Sequence, residues 1–165
     1  MIQVISNARR IGRDMTEAHT THSGSHPDGR SLRFDMAARL ENLAMMRTVV
    51  AAAATVDDLD MDMVADLKLA TDEACTRLVR SSVPNAMLVV RLDFHLDRLV
   101  MAVYSHCQPG DVFPLDSFSW QVLSSLADHV ETFERAHPDD PVGHIVGVSL
   151  TKLRDAGSAV RVANG

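Results

Sequence analysis

The chain has 165 residues, of which 46% are hydrophobic and 23% charged, and a formal net charge of −6. That length buries the core of one domain without disulfide or metal staples, and no uninterrupted apolar run reaches the roughly 18 residues a membrane span needs. The basic residues are scattered through an acidic whole, so nucleic acid, whose phosphates call for clustered Lys and Arg, is excluded as a partner and a basic protein surface fits better.

Met1 to Arg13 shows neither an apolar h-region nor a small-residue cleavage site, so no secretory leader is read and the expected location is the cytoplasm. His19, His22 and His26 follow among Thr, Ser, Gly and Pro, with few large apolar residues to bury, which reads as a disordered tail over 1–30. No carboxylate or thiol spacing completes a four-ligand set around those histidines, and no metal site is assigned. The ordered domain is expected over 31–153, with a flexible tail over 154–165.

Order begins at Leu32-Arg33-Phe34-Asp35-Met36, whose strict alternation marks a half-buried strand. From Arg39 to about Ala54 the positions Leu40, Leu43, Met46 or Arg47, and Val50 step round as one helical stripe. Met45 and Met46 suit either the core or an adaptable contact surface. Asp57-Asp58-Leu59-Asp60 breaks this helix and supplies an N-cap and first-turn acid to the next.

The next helix carries the most informative stretch. Val64, Leu67, Ala70, Ala74 and Leu78, with Cys75 beside them, recur at three- and four-residue spacing and bury one face. Glu73 and Arg77 lie four apart, one above the other. Cys75 reads as a buried reduced thiol. Ser81 to Asn85 ends the helix, because Pro84 cannot continue it. Met87–Phe94 and Leu99–Tyr104 are strands joined by a hairpin loop over His95–Arg98. A loop from Ser105 to Asp116 is long enough for a lid or binding loop and carries Cys107, read as an inert free thiol.

Ser119 is expected to cap a short helix from Trp120 to about Ala127, with Trp120 assigned to core packing. Strands at Val130–Glu134 and His144–Leu150 close the domain. Because strands and helices do not alternate regularly, the fold class is α+β, an antiparallel or mixed sheet with helices on one face.

This order and these motifs resemble the GHKL fold of histidine-kinase-type ATPases, and within it the small bacterial anti-sigma factors related to protein serine kinases. Asp66 to Arg80 resembles the family's N-box helix, with Asp72-Glu73-Ala74-Cys75-Thr76 as its Glu-bearing segment. Ala38-Arg39-Leu40-Glu41-Asn42 is similar to the opening of the family's first helix. In active members the N-box Glu is the general base toward a target serine, which matches Glu73, and an Asn four residues later helps hold Mg2+. Arg77 stands at that Asn position, and a guanidinium has no lone pair for a metal. No acid follows the third strand where the family reads adenine; Ser105 stands there. The Gly-Leu-Gly-Leu segment that lets backbone approach phosphates reads Ser117-Phe118-Ser119-Trp120 here.

The resemblance therefore implies a degenerate ATP site at Glu73, Arg77, Ser105, Ser117 and Ser119, with Glu73 a vestigial base and ATP with Mg2+ at most a residual ligand. It implies a retained binding face at Arg39, Asn42, Leu43 and Arg47, the last being the position that in the family contacts both the sigma factor and its antagonist. The implied function is sequestration of an alternative stress or stationary-phase sigma factor, released by an anti-anti-sigma protein, from a homodimer. The alternative is an active serine kinase acting on that antagonist.

Overall fold

The computed structural model describes residues 30–138 and 140–154. The His19, His22 and His26 cluster and the residues from 155 onward lie outside the described residues. The elements in chain order are β1 (Arg30–Ala37), a 3-10 turn (Leu40–Asn42), α1 (Leu43–Val56), α2 (Met61–Ser81), β2 (Met87–Phe94), β3 (Arg98–Cys107), α3 (Phe118–Leu126), β4 (His129–His137) and β5 (Asp140–Leu153). The strands form one five-stranded sheet in the order β1-β2-β3-β5-β4, and every pairing is antiparallel. The α+β expectation holds, and of its two sheet options the antiparallel one is realised.

Period-2 patterning builds the inner face of this sheet. Register aligns Phe34 with Val90, Val90 with Val103, Val103 with Val148 and Val148 with Thr132, so one apolar row crosses four strands before it meets Thr132 at the β4 edge. Leu88, Leu92, Leu99, Met101 and Leu150 flank that row and are buried with it. Helix α2 lies across these residues through Leu67, Ala70, Ala74, Cys75 and Leu78, all in the same buried cluster. Small side chains at Ala70 and Ala74 let the helix axis come close to the sheet. Thr71, also fully buried, satisfies its hydroxyl on the Leu67 carbonyl at 2.6 Å. Asp60 caps the helix as expected, its carboxylate accepting from the Met63 amide at 2.8 Å.

Several boundaries differ from the sequence reading. The stretch read as the start of the first helix is a separate 3-10 turn, held by the Asn42 side-chain amide donating to the Ala37 carbonyl at 2.9 Å, and Leu40 within it is 55% exposed rather than core. Strand β3 continues through Ser105, His106 and Cys107, residues assigned to the following loop, because β5 is long enough to pair with all three. Of the two adjacent methionines, Met46 is fully buried while Met45 is 59% exposed.

The face of the sheet away from the helices carries its own apolar centre. Val89, Ala102 and Tyr104 are buried there. The Phe133 ring meets Tyr104 edge-on at 6.1 Å and the Arg135 guanidinium lies 5.8 Å from the Tyr104 ring centre. Gly147 is required beneath this pair, since a Cβ there would come within 2.3 Å of the Phe133 ring and 2.7 Å of the Val103 carbonyl.

At the corner where β1 begins and β5 ends, Asp57 in the α1–α2 turn pairs with both Arg30 and Arg154. Burial and the neighbouring Arg30 charge lower the pKa of Arg154.

Met46→Ala is expected to cost about 2–5 kcal/mol of folding stability and Met45→Ala to change it by no more than about 0.5 kcal/mol, measured by urea denaturation. Burial pushes the Cys75 thiol up to about 12 and the Cys107 thiol up to about 11 from the ordinary 9.0. Both should therefore resist alkylation at neutral pH until the protein is unfolded. Their contribution to stability should be full below pH 9 and decline as the pH rises from 9 toward 11, where unfolded thiols ionise and folded ones do not.

Candidate functional site

Helix α2 turns its apolar stripe to the sheet, which leaves Asp72 and Glu73 on its outer side, both half-buried. Consecutive helical residues diverge by about 100°, so the two carboxylates address different neighbours. Glu73 accepts a hydrogen bond from the Ser119 hydroxyl in the first turn of α3. Asp72 meets Arg47 of α1, with Nη1 3.0 Å from Oδ2. The central helix is thus tied to one flanking helix by each acid.

The geometry of α3 explains the first contact. Ser117 is its N-cap, in an extended conformation, and its hydroxyl accepts from the Trp120 amide at 3.1 Å. Ser119, expected to be the cap, is instead helical and buried, and the two-residue shift places it against Glu73. The same shift throws Phe118 outward, where it is 77% exposed, while Trp120 packs against the core as expected.

Between α1 and α3, over α2, lies a groove of about 580 Å³. Leu40 and Leu43 form one wall, Phe118, Val122 and Leu126 the other, and Arg47, Asp72 and Glu73 lie between them. Leu40, Leu69 and Phe118 are all more than half exposed along it, an apolar concentration larger than scattered surface residues give. Charged groups between apolar walls suit a protein segment that inserts aliphatic side chains and meets Arg47 with an acceptor.

The structure brings some of the sequence-derived candidates together and leaves others apart. Glu73 and Ser119 touch, Ser117 caps the same helix end, and Leu43 and Arg47 line the groove. Arg39 pairs with Glu41 at 3.5 Å on the exposed surface, and the Asn42 amide anchors the 3-10 turn, so these two act at the margin. Arg77, for which the sequence left open either a phosphate contact or an i,i+4 pair with Glu73, makes no ion pair with Glu73 among the described residues, and the Ser119 hydroxyl donates to that carboxylate. Ser105 is buried, sharing a hydrogen bond with the Ser82 hydroxyl at 2.7 Å and donating to the Met87 carbonyl at 3.0 Å. It joins β3 to the end of α2 and does not line the groove.

The loop read as a lid or binding loop is partly core. Its Val112 and Phe113 are 5% and 4% exposed and belong to the buried cluster, and the Asp111 carboxylate accepts from the Phe113 amide at 3.1 Å. Asp72 is the charged groove residue that the sequence reading did not assign to the site, and the apolar Leu69, Phe118, Val122 and Leu126 were not assigned to it either. The partner of Asp72 lies on another helix, and one-helix periodicity carries no signal for that.

These residues do not fit a Mg2+–triphosphate. Arg77 offers only donors where the metal needs a lone pair, and Glu73 is engaged by Ser119. No step through a nucleotide is derived.

No protein-family model matches the chain. Two curated relatives do: the anti-sigma-F factor RsbW of Mycobacterium tuberculosis strain CDC 1551 / Oshkosh and that of strain ATCC 25618 / H37Rv. The chain is 44% identical to each over 144 residues, which is 87% of this chain and 86% of the relative.

Ser119→Ala leaves a half-buried carboxylate without its donor and is expected to destabilise the protein by about 1–3 kcal/mol in chemical denaturation. Glu73→Gln retains a side-chain oxygen to accept from Ser119 and should cost less than Ser119→Ala.

Proposed function

Because the chain belongs to the anti-sigma factor family that includes RsbW of Mycobacterium tuberculosis, we propose that it binds an alternative sigma factor of the stress or stationary-phase class and keeps it from RNA polymerase. The observation that carries this reading is the identity over 87% of the chain. The groove supports it physically, since it offers exposed apolar walls and an arginine at its floor on the helical side.

Arg47, with Leu43 beside it, is the central contact in this account, and Arg39 and Asn42 extend the surface at its edge. Arginine in a partly desolvated groove is a common hot spot, because its planar fork meets carboxylates and carbonyls with little further ordering. Inhibition is then stoichiometric occlusion of the sigma surface that polymerase or promoter needs. An anti-anti-sigma antagonist releases the sigma factor by competing for the same face.

The homodimer implied by the resemblance has a surface suited to it. A second copy would meet the sheet face away from the helices, where the half-buried Phe133 and the Arg33–Asp35 and Arg91–Asp93 pairs lie over the buried Val89 and Tyr104. None of the helices among the described residues is long and apolar enough to cross a membrane, which agrees with action beside cytoplasmic polymerase.

The serine kinase alternative is disfavoured by Arg77, whose guanidinium has no lone pair for the metal that the family holds at that position, while the Ser119 hydroxyl donates a hydrogen bond to one oxygen of Glu73.

Arg47→Ala is expected to weaken binding of the cognate sigma factor about tenfold, read by fluorescence anisotropy, in keeping with arginine hot spots; unchanged affinity removes Arg47 from the interface. Labelled ATP with Mg2+ and the antagonist should yield no phosphoprotein. Transfer that disappears in Glu73→Ala would establish the kinase instead.

A further inference from the structure

The N-box resemblance gives Asp72 no part in recognition or catalysis, yet its carboxylate is the group that touches Arg47. The ion pair joins α1 to α2 at 3.0 Å, with the side chains 40% and 34% exposed. A pair that open to water is screened and contributes little to folding. What it does control is direction. An unrestrained arginine has many rotamers, and an ion pair of Nη1 with a carboxylate 3.0 Å away favours those that keep the guanidinium beside α2.

Asp72 is itself well fixed. It sits mid-helix on α2, between Thr71, whose hydroxyl is bonded to Leu67, and Glu73, which is bonded to Ser119. The residues on either side of it are therefore each held by a side-chain hydrogen bond. The ion pair with Asp72 engages Arg47 at Nη1, and the other donors of the five-donor fork are left for a partner.

We propose that Asp72 is a positioning residue for sigma binding: it holds the Arg47 guanidinium in the groove in the orientation the partner uses, so that association does not have to order it. The inference rests on the proposed role of Arg47. It assigns the partner's matching group as an acceptor, a carboxylate or a run of backbone carbonyls, since guanidinium donates only. Specificity follows, because a partner with a basic residue at that point would face Arg47 without an acceptor.

The test uses the full-length protein with the sigma-F homologue of its source organism, measured by calorimetry, together with thermal unfolding of each variant. Asp72→Asn should bind about three- to tenfold more weakly than the native protein while its unfolding temperature stays close to native, as expected when an exposed pair is lost. Arg47→Ala combined with Asp72→Asn should bind no more weakly than Arg47→Ala alone, because the two act through one group. The exchanged pair, Arg47→Asp with Asp72→Arg, restores the link between α1 and α2 but presents the wrong charge. It should unfold like the native protein and still fail to bind. If the exchange recovers affinity, the pair is merely structural and the proposal is wrong. If Asp72→Asn binds as well as or better than native while Arg47→Ala weakens, Asp72 does not position Arg47, and the Arg47 contact stands without it. If Arg47→Ala also binds normally, both the contact and its positioning are overturned.

Discussion

One hydrogen bond ties the central helix to α3: Glu73 accepts from the Ser119 hydroxyl, which holds the start of α3 against α2. The bond uses one carboxylate oxygen, and the exposed Phe118 that walls the groove sits on the helix end it holds. If Ser119 were a glycine, the helix end would have no such tether, and the carboxylate would face the groove unclaimed.

Helix α2 is the axis on which the site is built. Its inner stripe, with alanines at 70 and 74, seats it against the sheet. Its outer face splits two successive acids between α3 and α1. Folding and recognition share these contacts, because the helix that fills the core also fixes both walls of the groove. The apolar side chains left exposed on those walls weaken solubility and make sense only where another protein covers them.

Much of this was legible in the sequence where a single element determines it. The three- and four-residue spacing of Val64 to Leu78 gave the buried stripe of α2, alternation marked the first strand, and Val, Leu and Met content marked the two middle ones, while the last strand's inward set, Val146, Val148 and Leu150, came only with the sheet. Asp60 was identifiable as a cap because capping is local. The rest depends on pairs of elements. Whether Ser117 or Ser119 caps α3 is decided by Glu73, which lies 46 residues earlier. Leu40 fits the helical stripe by number but falls in a 3-10 turn that rotates it to the surface. The length of β3 is fixed by β5, with which Cys107 pairs at His144. Phe113 is drawn into the core from a loop that composition marks only as polar and Pro-bearing. The Arg47–Asp72 pair crosses two helices whose packing angle no periodicity reports. Glu73 was visible as a residue, and its hydrogen bond with Ser119 was not.

The account makes this protein a sequestering member of its family, with recognition carried by the groove and independent of nucleotide. The most direct measurement is a calorimetric titration of the cognate sigma factor into the purified protein, with and without saturating Mg2+-ATP. Saturable binding of the same affinity in both solutions is the predicted result. Binding that appears only with Mg2+-ATP would contradict it, because the nucleotide would then be part of the recognition surface and Glu73 and Arg77 part of a working site.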